Sequence, residues 1–139
     1  MAVVDASVVT AVFKRDDDGH VAAAAWLRAM LQDGESIVAP SVLLAEVGSA
    51  IRRNTGDPVL ARAVVDELCR MPGLSLVPVS DPLARRGAEM AAEHALRGCD
   101  ALYVATAEQY GDALVTLDEE QLRRGAAVVR TMRPDDASR

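Results

Sequence analysis

Hydrophobic positions along this chain follow two rhythms, short unbroken apolar runs and longer stretches with apolar residues three or four apart. The first kind reads as strands covered on both faces, the second as amphipathic helices. Ala2–Asp5 is a short buried strand, and Ala6–Lys14 continues as a helix with Val8, Val9, Val12 and Phe13 at helical spacing. Asp16-Asp17-Asp18-Gly19 reads as a loop. His20–Leu31 is a second helix, with Ala23, Trp26, Leu27 and Met30 on one face and Gly34 after its end. Ser36–Ala39 is a strand, and Ser41 is the expected N-cap of a helix reaching about Asn54, stopped by Gly56. Asp57-Pro58, a cap followed by a first-turn proline, opens another helix that ends at Met71-Pro72-Gly73. Leu74–Val79 is a strand, and Asp81-Pro82 repeats the cap-and-proline signal for a helix to about Ala95. Gly98 breaks the chain, and DALYVATAEQY from Asp100 is a helix closed by Gly111. Ala113–Leu117 is a strand, Asp118–Arg124 a short helix, Gly125 its stop, and Ala126–Arg130 the last strand. The polar tail Arg133–Arg139 is expected to fray.

Strands that alternate with helices predict an α/β fold, with a mainly parallel sheet of about five strands flanked by helices on both faces. The 139 residues suit one domain, here 1–132 followed by the tail. Composition adds that the core rests on Ala, Val and Leu, since half the residues are hydrophobic and only Phe13, Trp26, Tyr103 and Tyr110 are aromatic. No stretch approaches the ~20 apolar residues of a membrane span, and the N-terminus lacks the pattern of a secretory signal, so a cytoplasmic location is expected. Cys69 and Cys99 form no CxxC pair and are expected to be reduced, buried thiols.

A net charge of −6 argues at first against a nucleic-acid partner. Two divalent ions on four clustered carboxylates would leave −2. Fourteen of the fifteen basic residues are Arg, several in pairs: Arg52-Arg53, Arg85-Arg86 and Arg123-Arg124. A solvated helix face is the usual explanation of such pairs. Phosphate-binding loops, dinucleotide fingerprints, nucleophile elbows and zinc spacings are all missing, and His20 and His94 stand alone.

Acidic residues at element ends remain. Asp5 and Asp118 follow strands, and ligands of a parallel sheet collect beyond the carboxyl ends of its strands. Asp100 opens a helix, and Glu46 lies one turn into another, beside Leu43. Each has an ordinary alternative. Asp118 with Gln121 makes a D-x-x-Q capping box, Asp100 suits an N-cap, Asp5 suits a loop, and Glu46 could face solvent.

The segments VVDASVV, PSVLLAEVGSAIRR and RGCDALYVATAEQYGDALVTLDEEQL, with the overall length, resemble PIN-domain proteins, and more narrowly VapC-type toxins of bacterial toxin–antitoxin pairs. The resemblance covers Val3 to about Val129. It implies a Mg²⁺-dependent endoribonuclease, with Mn²⁺ able to substitute, whose four acids are Asp5, Glu46, Asp100 and Asp118. It further implies supporting hydroxyls at Ser7 and Thr116, a small VapB-like antitoxin that blocks the site, and a homodimer. Exposed apolar surface near Leu60–Leu68 or Trp26 is one place for a partner, although core packing is the commoner use of such residues.

Carboxylates on rigid element ends suit this chemistry. Mg²⁺ takes oxygen ligands and keeps several waters. Without metal, one carboxylate pair at 4 Å repels by about 4 kcal/mol at an effective dielectric near 20, so added metal should raise the melting temperature. Other readings are a DNA-cutting enzyme on the same scaffold and a non-catalytic RNA-binding module. A receiver or haloacid-type phosphatase fits poorly: Asp5 begins no D-x-D, and the only lysine is Lys14.

Overall fold

The computed structural model describes residues 1–137. Five strands make one all-parallel sheet: β1 (Ala2–Val4), β2 (Ile37–Pro40), β3 (Leu74–Val77), β4 (Leu114–Val115) and β5 (Thr131–Met132), in the order β3-β2-β1-β4-β5. The connections are helical: α1 (Ala6–Phe13), α2 (His20–Gln32), α3 (Val42–Thr55), α4 (Pro58–Arg70), α5 (Asp81–His94), α6 (Gly98–Tyr110), α7 (Glu119–Gly125) and the short α8 (Pro134–Ala137). The expected α/β architecture is therefore the observed one.

Every residue of β1, β2 and β4 is buried, because helices cover both faces of the sheet. Val3, Val4, Ile37, Leu114 and Val115 meet Val8 and Ala11 of α1, Leu43, Val47 and Ile51 of α3, and Tyr103 and Val104 of α6 in one core. Burying each such Val, Leu or Ile side chain stabilises the fold by about 1.5–3 kcal/mol. Strand order reverses at β1: the chain first builds outward through β2 and β3, then returns to β4 and β5 on the other side. That reversal opens a crevice between the carboxyl ends of β1 and β4, where ligands of open α/β sheets bind.

Several local expectations shift. Ser41 makes no side-chain cap, since its backbone is already helical (φ −60°, ψ −17°) and its N–H donates to Val77 O. Ser80, not Asp81, caps α5; its extended backbone lets the hydroxyl accept from Leu83 N. Gly98 does not precede α6 but begins it, so Asp100 lies in the first turn and Arg97 occupies the cap position. Gly125 closes α7 by close packing, because a Cβ there would lie 3.2 Å from the Val104 and Thr131 methyls. Residues 126–129 consequently form a turn, and the last strand falls at Thr131–Met132.

Within the stretch expected to fray, α8 packs on α2 with Pro134 buried; Ser138 and Arg139 lie outside the described residues. Cys69 and Cys99 are exposed, not buried. Trp26 is only 2% exposed and Leu68 equally so, which leaves Val59 and Leu60 as the open apolar residues of α4's start. Among the described residues no helix is long and apolar enough to cross a membrane.

Candidate active site

The crevice at the strand reversal is built from backbone outward. Asp5 directly follows β1 and is the N-cap of α1: its Oδ2 accepts from Ser7 N at 3.1 Å. Thr116, just after β4 and fully buried, donates its hydroxyl to the same Oδ2 at 3.1 Å. That hydroxyl also accepts from Asp118 N at 3.0 Å, and the Ser7 hydroxyl, 3.4 Å away, accepts from Leu117 N. Two strand ends are thus laced together by Ser7 and Thr116, with Asp5 between them. Burial pushes the Asp5 carboxyl up to about 6 against the pull of these hydrogen bonds, and the charge of Asp100 adds to the rise.

Asp118 keeps its capping role, with Oδ1 accepting from Gln121 N at 2.8 Å. The reciprocal half of the expected capping box is not formed: Gln121 turns its amide to Asp100 O at 3.2 Å, while its buried Oε1 has no hydrogen-bond partner among the described residues. Gln121 therefore ties the first turn of α7 to the first turn of α6. Arg97 bridges the two acids, Nε to Asp100 Oδ2 at 2.9 Å and Nη2 to Asp118 Oδ2 at 3.0 Å. Even so, burial holds the Asp100 carboxyl above its ordinary range.

Glu46 points inward. Its Oε2 accepts from the Tyr103 hydroxyl at 2.6 Å, and burial followed by that bond raises the phenol. Although Cys99 is exposed, partial desolvation raises its thiol too, with the charges of Glu46 and Asp100 adding to it. A cleft of about 700 Å³ runs beside the acids, lined by Ser7, Thr10, Glu46, Ser49, Arg53 and Leu117 among others. Asp100 faces a smaller recess of about 340 Å³ with Arg97, Glu120 and Arg124.

The four acids predicted from sequence thus gather in one neighbourhood. The charge of Asp100 acts on Asp5 and that of Asp118 on Asp100, while Tyr103 feels both Asp5 and Glu46. Among the described residues, however, no three His, Cys, Asp or Glu side chains converge closely enough to hold an ion as they stand. The donor chemistry still fits Mg²⁺ or Mn²⁺. All candidate ligands are carboxylate oxygens, and Asp5 is buried among them. Arg97 and Tyr103 were missed by sequence reasoning. Each carried a signal: Arg97 stands three residues before Asp100, and a tyrosine in the core needs a partner for its hydroxyl.

A parallel α/β domain with acids gathered at its strand reversal defines a carboxylate-site class of protein. The PIN domain family model matches residues 2–127, and the chain belongs to that family. Among solved structures it is similar to VapC20 of Mycobacterium tuberculosis, described as a sarcin–ricin loop cleaving toxin (TM-score 0.75, 17% identity, 90% of this chain and 95% of that one). It is similar also to a toxin–antitoxin complex from Klebsiella pneumoniae (TM-score 0.69, 18% identity, 96% and 98%). A third is VapBC2 from Rickettsia felis bound to a promoter DNA fragment (TM-score 0.71, 13% identity, 95% and 97%). Identities this low establish the shared fold. No curated protein sequence matches the chain.

Proposed function

We propose that this protein is a Mg²⁺- or Mn²⁺-dependent endoribonuclease acting as the toxin of a toxin–antitoxin pair. One observation carries the reading: Asp5, Asp100 and Asp118 lie at the strand reversal of a PIN domain, the charge of Asp100 acting on Asp5 and that of Asp118 on Asp100. The description of VapC20 as a cleaving toxin and the toxin–antitoxin complex among its structural likenesses favour RNA and an antitoxin.

In this reading Asp5, Asp100 and Asp118 hold the cation, with Glu46 contacting it or orienting the attacking water. Bound metal supplies a water of lowered pKa and offsets charge on the phosphodiester. The rest is the chain's own work. Thr116 and the Ser7 N–H fix the orientation of Asp5, and Tyr103 pins one oxygen of Glu46, leaving the other for the cleft that Glu46 lines. Arg53 lines the same cleft and offers a phosphate contact to bound RNA. A small VapB-like antitoxin covers the site, and the protein works as a cytoplasmic homodimer.

Incubating the protein with matched RNA and DNA strands in Mg²⁺, Mn²⁺ or EDTA tests this. Cleavage of RNA alone, lost in EDTA and in Asp100→Asn, is the expected result. Preferential cutting of DNA would transfer the reading to a DNA-acting enzyme. Failure of the wild type to cut either polymer would leave a non-catalytic module.

A further inference from the structure

The Asp100–Asp118 pair already has a cation, supplied by the chain. Arg97 places Nε on Asp100 Oδ2 and Nη2 on Asp118 Oδ2, at 2.9 and 3.0 Å. We propose that a divalent ion binds this pair by displacing Arg97, so that Arg97 is the residue that sets the site's affinity for metal. The proposal rests on the metal-site reading above.

Three observations support exchange over a permanent structural tie. First, both ion pairs use the oxygens that a metal needs, and two cations crowded onto those atoms repel each other. Second, the Arg97 side chain is 75% exposed, so water and salt weaken its hold and solvent receives it when it leaves. Asp100, at 13%, is the fixed partner. Third, Arg97 holds the start of α6 through its carbonyl, which accepts from Ala101 N at 2.9 Å, so the helix does not depend on the guanidinium. Arg97 occupies the cap position of α6 without a side-chain cap. Ala95, two residues before it, is a non-glycine in the left-handed region (φ 53°), and a Cβ added to Gly98 after it would meet open space. Arg124, which shares the smaller recess, is committed to Ala95 O and Glu120 and does not replace it.

The measurement is isothermal titration of metal-stripped protein with MnCl₂, alongside melting curves with and without MnCl₂. Arg97→Ala should bind Mn²⁺ about three- to tenfold more tightly than wild type, the range expected for removing exposed ion pairs. Arg97→Lys, which keeps charge but loses the two-pronged grip, should fall between them. Without metal, Arg97→Ala should melt below wild type, and the gap should close once both are loaded. Equal or weaker Mn²⁺ binding by Arg97→Ala overturns the proposal. If the alanine variant fails to fold, Arg97→Lys decides in its place, and equal or weaker binding by it has the same consequence. Absence of any Mn²⁺ binding by the wild type sinks the metal site itself, a separate result.

Discussion

Helix α6 carries an acid at each end, and the two behave oppositely. Asp100, in the first turn, has a neighbouring arginine and the favourable end of the helix dipole, yet its carboxyl is held above the ordinary range. Glu108, near the last turn, faces the unfavourable end, yet Arg86 holds its carboxyl below the ordinary range. Burial decides the difference. Asp100 is 13% exposed and Glu108 38%, and desolvation leads the causes for the first while the Arg86 bond leads for the second. One end of the helix holds charge that water barely reaches. The other commits its charge to a surface clasp.

Function provides the largest contrast between the ends. Asp100→Asn should lower metal-dependent RNA cleavage by at least about 100-fold, because it removes a proposed ligand outright. Glu108→Gln should cut RNA at the wild-type rate. Equal losses in both variants would break the comparison.

Stability against pH comes next, read at Asp5, the most buried acid of the same cluster. Its folded carboxyl, at about 6, binds its proton more tightly than the unfolded value of 3.8 allows. The stability it contributes is therefore complete below about pH 4 and is lost as pH rises through 6. At 1.36 kcal/mol per pH unit, that gap makes about 3 kcal/mol. Metal-free wild type should accordingly lose stability between pH 4 and 7 in chemical denaturation, and Asp5→Asn should flatten the slope while abolishing cleavage. Saturating Mn²⁺ should restore about 3 kcal/mol at pH 7 when supplied at 100 times its dissociation constant. A pH-independent wild type in EDTA would show that the cluster is not under strain.

Thr116 offers a smaller effect on the same end. Thr116→Val removes both the hydroxyl that orients Asp5 and the acceptor of Asp118 N. Metal affinity by titration should fall about 10- to 100-fold, the usual cost of losing a group that orients a ligand. Unchanged affinity would mean that the backbone alone fixes Asp5.

The layout of strands and helices was legible because their periodicities are strong, and Asp5 and Asp118 were legible because parallel strands deliver their ligands at one edge. Glu46 and Asp100 came by family resemblance. Their neighbours explain why: the Tyr103 hydroxyl reaches Glu46 across 57 residues of sequence, and no local pattern encodes that pairing. Element ends were read less well for a related reason. Ser41 and Ser80 exchange roles with their expectations because backbone conformation at a cap depends on the preceding strand, and Gly125 serves a contact with Val104 that is invisible without tertiary structure.

The smallest effect belongs to the outer end of α6. Arg86 clasps Glu108 through Nε and Nη2 and also reaches Glu89 through Nη1, so Glu108→Gln leaves the guanidinium with a partner. Water replaces what is lost, and the melting temperature at pH 7 should move by no more than about 3 °C. Its pH dependence sharpens the contrast. A carboxyl held below its unfolded value of 4.5 contributes stability above that value and loses it as pH falls. The advantage of wild type over Glu108→Gln should thus grow as pH rises, whereas wild type should fall further below Asp5→Asn as pH rises. Melting series of the two variants from pH 4 to 8 in EDTA measure both. Slopes of the same sign would mean that burial does not divide the two groups of acids, and the strain assigned to the crevice would have to be sought elsewhere.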